Sequence, residues 1–308
     1  HFNKELWKSD GTAAGTIFIK DISIVKADSD PDDFIEFSGE VFFVATDKAN
    51  GEELWKTDGT SAGTVLVKDI NPGTASSNIR YFTICNGILF FRATSLANGA
   101  ELWKTDGTSA GTLMVKDINP GTSNSNPSSL TCMNNTLYFN SSDVAGGSEL
   151  WKSDGTMAGT VQVKDIRVGS SGSGPGKLTA VGNTLFFHAN DGTVGQELWK
   201  SNGTTAGTVL VKDIRAGAFS SSTGNFYNHS GILYFSANNG STGIELWKSN
   251  GTTAGTVLVK DIRTGGSFSS SIPSGFKSVA GTLLFGARDD TNGGELWKTD
   301  GTTAGTVL

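Results

Sequence analysis

Near the start of the chain, Asp28-Ser29-Asp30-Pro31-Asp32-Asp33 sets carboxylates close enough together to offer oxygen ligands to a hard cation. Asp28, Asp30, Asp32 and Asp33 are therefore calcium candidates. The stretch lacks the sixth-position glycine and the distant glutamate of an EF-hand, so a solvated acidic loop is the competing reading. Cys85 and Cys132 are the two cysteines of the chain. Aligned on Leu89 and Leu137, they are offset by one position, so on strands they face opposite ways. A disulfide between neighbouring units is then geometrically open, and so are two buried thiols. His1, His188 and His229 stand in no metal-ligand or catalytic spacing. Neither a glycine-rich phosphate loop, nor HExxH, nor a GxSxG elbow is present. The recurring carboxylates, Glu53 and Asp69 with their counterparts, are too regular to make one asymmetric site, and no residue is assigned a catalytic role.

The elements that must position these residues come from a repeat. The phrase ELWKTDGTSAGTVLVKDI, Glu53 to Ile70, recurs along the 308 residues, with tryptophan at Trp7, Trp55, Trp103, Trp151, Trp199, Trp247 and Trp297. A period near 50 residues marks an array of supersecondary units that bury faces on one another. One unit, Phe82 to Ile118, reads as four strand-length segments: FTIC, ILFFRAT, ELWK and TLMVKDI. We label them A to D. Pairs such as Ser38-Gly39 and Asn86-Gly87 tolerate the positive φ of a hairpin turn between A and B. Between C and D, Asp58, Asp106 and Asp154 head Asp-Gly-Thr-x-x-Gly-Thr turns, where the side chain accepts from amides two residues on. Asn202 and Asn250 replace the Asp in two units, so the turn needs an acceptor rather than a charge.

Alternation along C puts Glu53 and Trp55 on one face and Leu54 and Lys56 on the other. A meander that is apolar on both faces must be wedged between copies of itself, which predicts an all-β fold, a β-propeller of four-stranded antiparallel blades. The tryptophans then pack between blades. Segments C and D occur seven times and A and B six, which favours seven blades with one incomplete; six blades with a spare hairpin, or an open solenoid, are the alternatives. The chain reads as one repeat domain, 1–308, with units 5–22 (outer hairpin only), 34–70, 82–118, 130–166, 178–214, 226–262 and 276–308. The Lys-Asp pairs closing segment D, such as Lys68-Asp69 and Lys116-Asp117, are expected to charge an exposed outer edge.

The phrase resembles the ELWxxDGT repeat family of bacterial secreted and surface proteins, over nearly the whole chain. That resemblance implies propeller-like repeats and a secreted or cell-surface setting. More distantly, Ala189 to Lys200 (ANDGTVGQELWK) looks like the tryptophan-docking repeats of quinoprotein-type propellers, and the C–D turn looks like the Asp-box of sialidases. Both imply architectural roles only: packing for Trp199, a turn for Asp58. The adjacent cysteine pair of many quinoprotein dehydrogenases is missing here, and no cofactor other than the calcium candidate is expected.

The net charge of -6 disfavours nonspecific attraction to nucleic acid or an anionic membrane. No apolar run is long enough for a spanning helix, and no amino-terminal signal pattern is present. The start at His1 and the stop within a repeat suggest a processed chain or a fragment. The expectation is an extracellular binding or adhesion module for glycan or protein, acting through repeated or rim-loop sites. A structural spacer of a larger surface protein is the alternative, and a hydrolase or lyase with an axial site ranks below both.

Overall fold

Glycine-bounded runs of β-branched and aromatic residues form strands throughout the computed structural model, which describes residues 4–23, 27–145 and 147–308. His1 lies outside them. In chain order the strands are β1 (Leu6–Lys8), β2 (Ile17–Lys20), β3 (Asp32–Phe37), β4 (Glu40–Asp47), β5 (Gly51–Thr57), β6 (Val65–Lys68), β7 (Arg80–Cys85), β8 (Ile88–Ser95), β9 (Gly99–Thr105), β10 (Leu113–Lys116), β11 (Ser128–Met133) and β12 (Thr136–Asp143). There follow β13 (Gly147–Ser153), β14 (Val161–Lys164), β15 (Gly176–Val181), β16 (Thr184–Asn190), β17 (Gln196–Ser201), β18 (Val209–Lys212), β19 (Gly224–His229), β20 (Ile232–Asn238), β21 (Ile244–Ser249), β22 (Val257–Lys260), β23 (Ser274–Val279), β24 (Thr282–Asp289) and β25 (Gly293–Thr299).

Consecutive strands pair antiparallel in five four-stranded sheets, preceded by the β1–β2 hairpin and followed by β23–β25. A bridge between Lys298 and Val307 stands where the last sheet's fourth strand would lie. This is a β-propeller architecture of four-stranded antiparallel blades. The chain divides into two compact units. One comprises His1–Leu137, Ser141–Val144 and Ser153–Thr160, the other Tyr138–Asn140, Ala145–Lys152 and Val161–Leu308. No helix among the described residues is long and apolar enough to cross a membrane.

Both faces of a blade are greasy, and each covers a neighbour. In the first unit Trp103 lies in a buried cluster with Phe42, Val44, Val67 and Phe91, and Trp55 lies in another with Leu6, Ile19 and Phe43. In the second, Trp247 clusters with Phe186, Val211 and Phe235, and Trp297 with Tyr234, Val259 and Phe285. Each of these four indoles is thus set against the sheet before its own, and full burial of such a ring is worth roughly 3 kcal/mol. Trp7 departs from the packing role expected of it. It is 55% exposed and touches Phe18 edge-on.

The lysines that close segment D do not charge an outer edge, contrary to expectation. Lys68 Nζ donates to the Thr112 carbonyl at 2.8 Å and Lys212 Nζ to that of Thr256 at 2.8 Å, each reaching the C–D turn of the next blade. A second lysine, on segment C, does the same: Lys104 Nζ donates to Gly155 O at 2.8 Å and Lys200 Nζ to Gly251 O at 2.8 Å. The turn leaves these carbonyls without strand partners, and a cation from the blade before it supplies the missing donors.

Candidate functional site

The four aspartates offered as calcium ligands are not assembled into a site. Among the described residues no group of three or more metal-ligating side chains converges. Asp28 Oδ1 accepts the Lys4 amide at 2.9 Å, Asp30 pairs with Lys4 Nζ at 3.0 Å, and Asp32 Oδ1 accepts the amide of Asp33 at 2.8 Å. The Asp28, Asp30 and Asp32 carboxylates are spent on local donors, and together with Asp33 they form no calcium site. Cys85 and Cys132 are joined by a disulfide that ties β7 to β11. His188 is largely buried, its Nδ1–H donates to the Thr223 carbonyl at 3.1 Å, and desolvation pulls its pKa below the usual histidine value. His229 Nδ1 lies 2.6 Å from Ser278 Oγ at an exposed turn.

The C–D turns are built by their acidic residue. Asp58 Oδ1 accepts the Thr60 amide at 2.8 Å and the Thr60 hydroxyl at 2.7 Å, and Asn202 makes the same pair of contacts. The carboxylate folds over the second glycine, so a Cβ on Gly63 would stand 2.1 Å from Asp58 Oδ1. Asp106 and Asp154 repeat the arrangement. The hydroxyl and amide donors hold the Asp58, Asp106 and Asp154 carboxyls below the usual aspartate range.

The recurring glutamate has a role that its regularity concealed. Glu101 is fully buried; its Oε2 accepts the Ile118 amide at 3.0 Å and the Ser125 hydroxyl at 2.6 Å, while Oε1 accepts the Ser125 amide at 3.1 Å. Glu149 and Glu245 bind their own crossovers the same way. Each carboxylate therefore staples segment C to the chain that leaves segment D. Burial pushes Glu53, Glu101, Glu197 and Glu245 up to about 7 against the pull of these donors.

A glutamate that titrates at 4.5 when unfolded and at about 7 when folded makes the unfolded chain lose its proton first. Stability is then greatest near pH 4.5–5 and falls as pH rises through 7. Below that window the depressed aspartates reverse the trend. The melting temperature at pH 5 is expected to exceed that at pH 8 by roughly 5 °C or more. Equal or higher melting at pH 8 would contradict the raised glutamates.

Against this constant frame two positions vary. The first follows the Phe-Phe, Tyr-Phe or, in the last sheet, Leu-Phe pair of segment B: Val44, Arg92, Asn140, His188, Ser236 and Gly286. The second is a left-handed residue on segment A: Asp33 (φ 54), Tyr81 (φ 67), Ser129 (φ 55), Lys177 (φ 57), Asn225 (φ 53) and Gly275 (φ 65). The pairing slips there, for instance between Arg80 and Thr83 opposite β8. A bulge re-aims its side chain, and a non-glycine residue holds this conformation at a cost of about 1–2 kcal/mol.

In the first unit this pair of positions opens onto a cavity of about 530 Å³, lined by Asp33, Phe34, Ile35, Arg80, Tyr81, Phe82 and Arg92. The Arg80 guanidinium is neutralised by Glu52 at 3.0 Å. Arg92 is not: its Cζ stands 5.2 Å from the Tyr81 ring centroid, and its buried Nε has no hydrogen-bond acceptor. Tyr81 and Phe34 are about half exposed, and Phe34 stacks on Phe43 at 5.4 Å. The pocket thus offers a partly desolvated cation, a carboxylate and aromatic faces, a combination suited to holding a polar ligand rather than to breaking a bond. Sequence reading sought function in the crossovers and passed over Arg92 and Tyr81; the changing residue after each Phe-Phe or Tyr-Phe pair was the available signal.

No protein-family model matches the chain, and no curated protein matches it. Among solved structures it resembles one from a study of two prolyl endopeptidases, at TM-score 0.55 and 14% identity, over 90% of this chain and 42% of that one. It also resembles the computationally designed Ika8 protein, at TM-score 0.51 and 15% identity, over 91% of this chain and 74% of that one. The β-propeller domain of the Trilobed protease from Pyrococcus furiosus aligns at TM-score 0.48 and 11% identity, over 96% of this chain and 90% of that one. The chain spans under half the length of the endopeptidase, and these likenesses are of fold alone.

Proposed function

We propose that this chain is an extracellular binding propeller that holds a glycan or protein through side chains set on its inner strands. The observation that carries the reading is the Arg92–Tyr81 pocket, where a guanidinium with no ion-pair partner among the described residues meets two half-exposed rings. The Cys85–Cys132 bond fits an oxidising, secreted setting, in line with the resemblance to ELWxxDGT repeat proteins.

A glycan array and a pull-down from cell-surface material, both with the whole chain, test this. The expected outcome is saturable binding that weakens when Arg92 is replaced. Silence on both, or binding indifferent to Arg92, would overturn the assignment in favour of a spacer role.

A further inference from the structure

The geometry points to a carboxylate-bearing sugar, a hexuronate within a polysaccharide, as the ligand of the Arg92–Tyr81 pocket; this rests on the binding function proposed above. A guanidinium receives a carboxylate through two parallel N–H donors, and the Nη end of Arg92, which lines the pocket, meets no acceptor among the described residues, whereas its Nε is buried. The second cation, Arg80, is already matched by Glu52, so the pocket has one free positive charge. Asp33 also lines it. A single guanidinium beside a carboxylate suits a monoanion and opposes a dianionic phosphate. Asp33 can in turn accept from sugar hydroxyls. Tyr81 and Phe34 present half-exposed rings to the C–H face of a pyranose.

A peptide is the competing class. An extended peptide binds by adding a strand to a straight sheet edge. Here β3 and β7, the first strands of their sheets, are interrupted at Asp33 and Tyr81 by left-handed residues, which break such an edge. The pocket volume of about 530 Å³ lies in the range of small-molecule sites.

The test is calorimetric titration of the whole chain with oligogalacturonate and with its methyl-esterified, uncharged form. The acid form is expected to bind, with the ester at least about tenfold weaker. Two variants keep the frame intact. Arg92→Val installs the residue that the preceding blade already carries at Val44, and Tyr81→Gly relieves a left-handed backbone. Each is expected to weaken binding of the acid at least about tenfold and several-fold respectively, with an unchanged circular dichroism spectrum. Equal binding of acid and ester, or an Arg92→Val variant that binds like the parent, overturns the inference. Should oligogalacturonate fail while a neutral glycan or a protein binds in an Arg92-dependent way, the ligand class falls and the binding function stands. If nothing binds, both fall.

Discussion

Glu101→Ala will lower the free energy of unfolding by about 2–4 kcal/mol, measured by urea or guanidinium denaturation near pH 6. The change removes the acceptor of the Ile118 amide and leaves that donor buried, while the Ser125 amide and hydroxyl keep only the Ala100 carbonyl. Water has no route to them, since Ser125 is fully buried and Ile118 nearly so. Glu101→Gln keeps the volume but aims an amide N–H₂ at groups that are themselves donors, so it is expected to lose about half as much. The protein carries its own control: Glu295, the counterpart in the last sheet, is exposed, and Glu295→Ala should fall within about 0.5 kcal/mol of the parent. If the two alanine variants unfold alike, the staple has no energetic weight.

The second large effect concerns the disulfide. Cys85 and Cys132 close a loop with a sequence separation of 47, which in the chain-entropy account restrains the unfolded state by about 4 kcal/mol. The double variant Cys85→Ala, Cys132→Ala is expected to lose roughly that amount in guanidinium unfolding, and reductant should have no further effect on it. A thiol assay on the denatured, unreduced chain should find no free sulfhydryl. Two free thiols, or a variant as stable as the parent, would remove the crosslink from the account of stability.

How much of this could be read beforehand depended on whether the cause was local. Asp58 and Gly63 form a turn from within a few residues, so their types and spacing announce it. The indoles were legible for a related reason: a bulky residue alternating with Leu54 on a short strand leaves few alternatives to burial between sheets. Trp7 shows the limit, because its fate depends on which sheet stands beside it rather than on its own segment.

Glu53 and Glu101 were illegible as staples. Their donors sit 17 and 24 residues further along the chain, and only the fold brings the crossover back over the strand. Lys68 was misread for the same reason, its acceptor lying 44 residues away in the next turn. The left-handed bulge left only a partial signature. Asp33, Asn225 and Gly275 are types that visit this conformation readily, but Tyr81, Ser129 and Lys177 are not, so register imposes it and residue type reports it in only half of the copies. Arg92 was hidden among strand residues for want of a comparison down the repeats.

The lysine ties run in one direction only, from each sheet to the turn of its successor. The segment-D lysine makes the same joint to each successor, while the segment-C lysine makes it in most sheets and departs at Lys56, which pairs instead with Glu40 of its own sheet at 2.9 Å. A module copied whole would bring the same segment-D lysine and the same receiving turn, and residues that differ between copies, such as Arg92 and Tyr81, take no part in those joints.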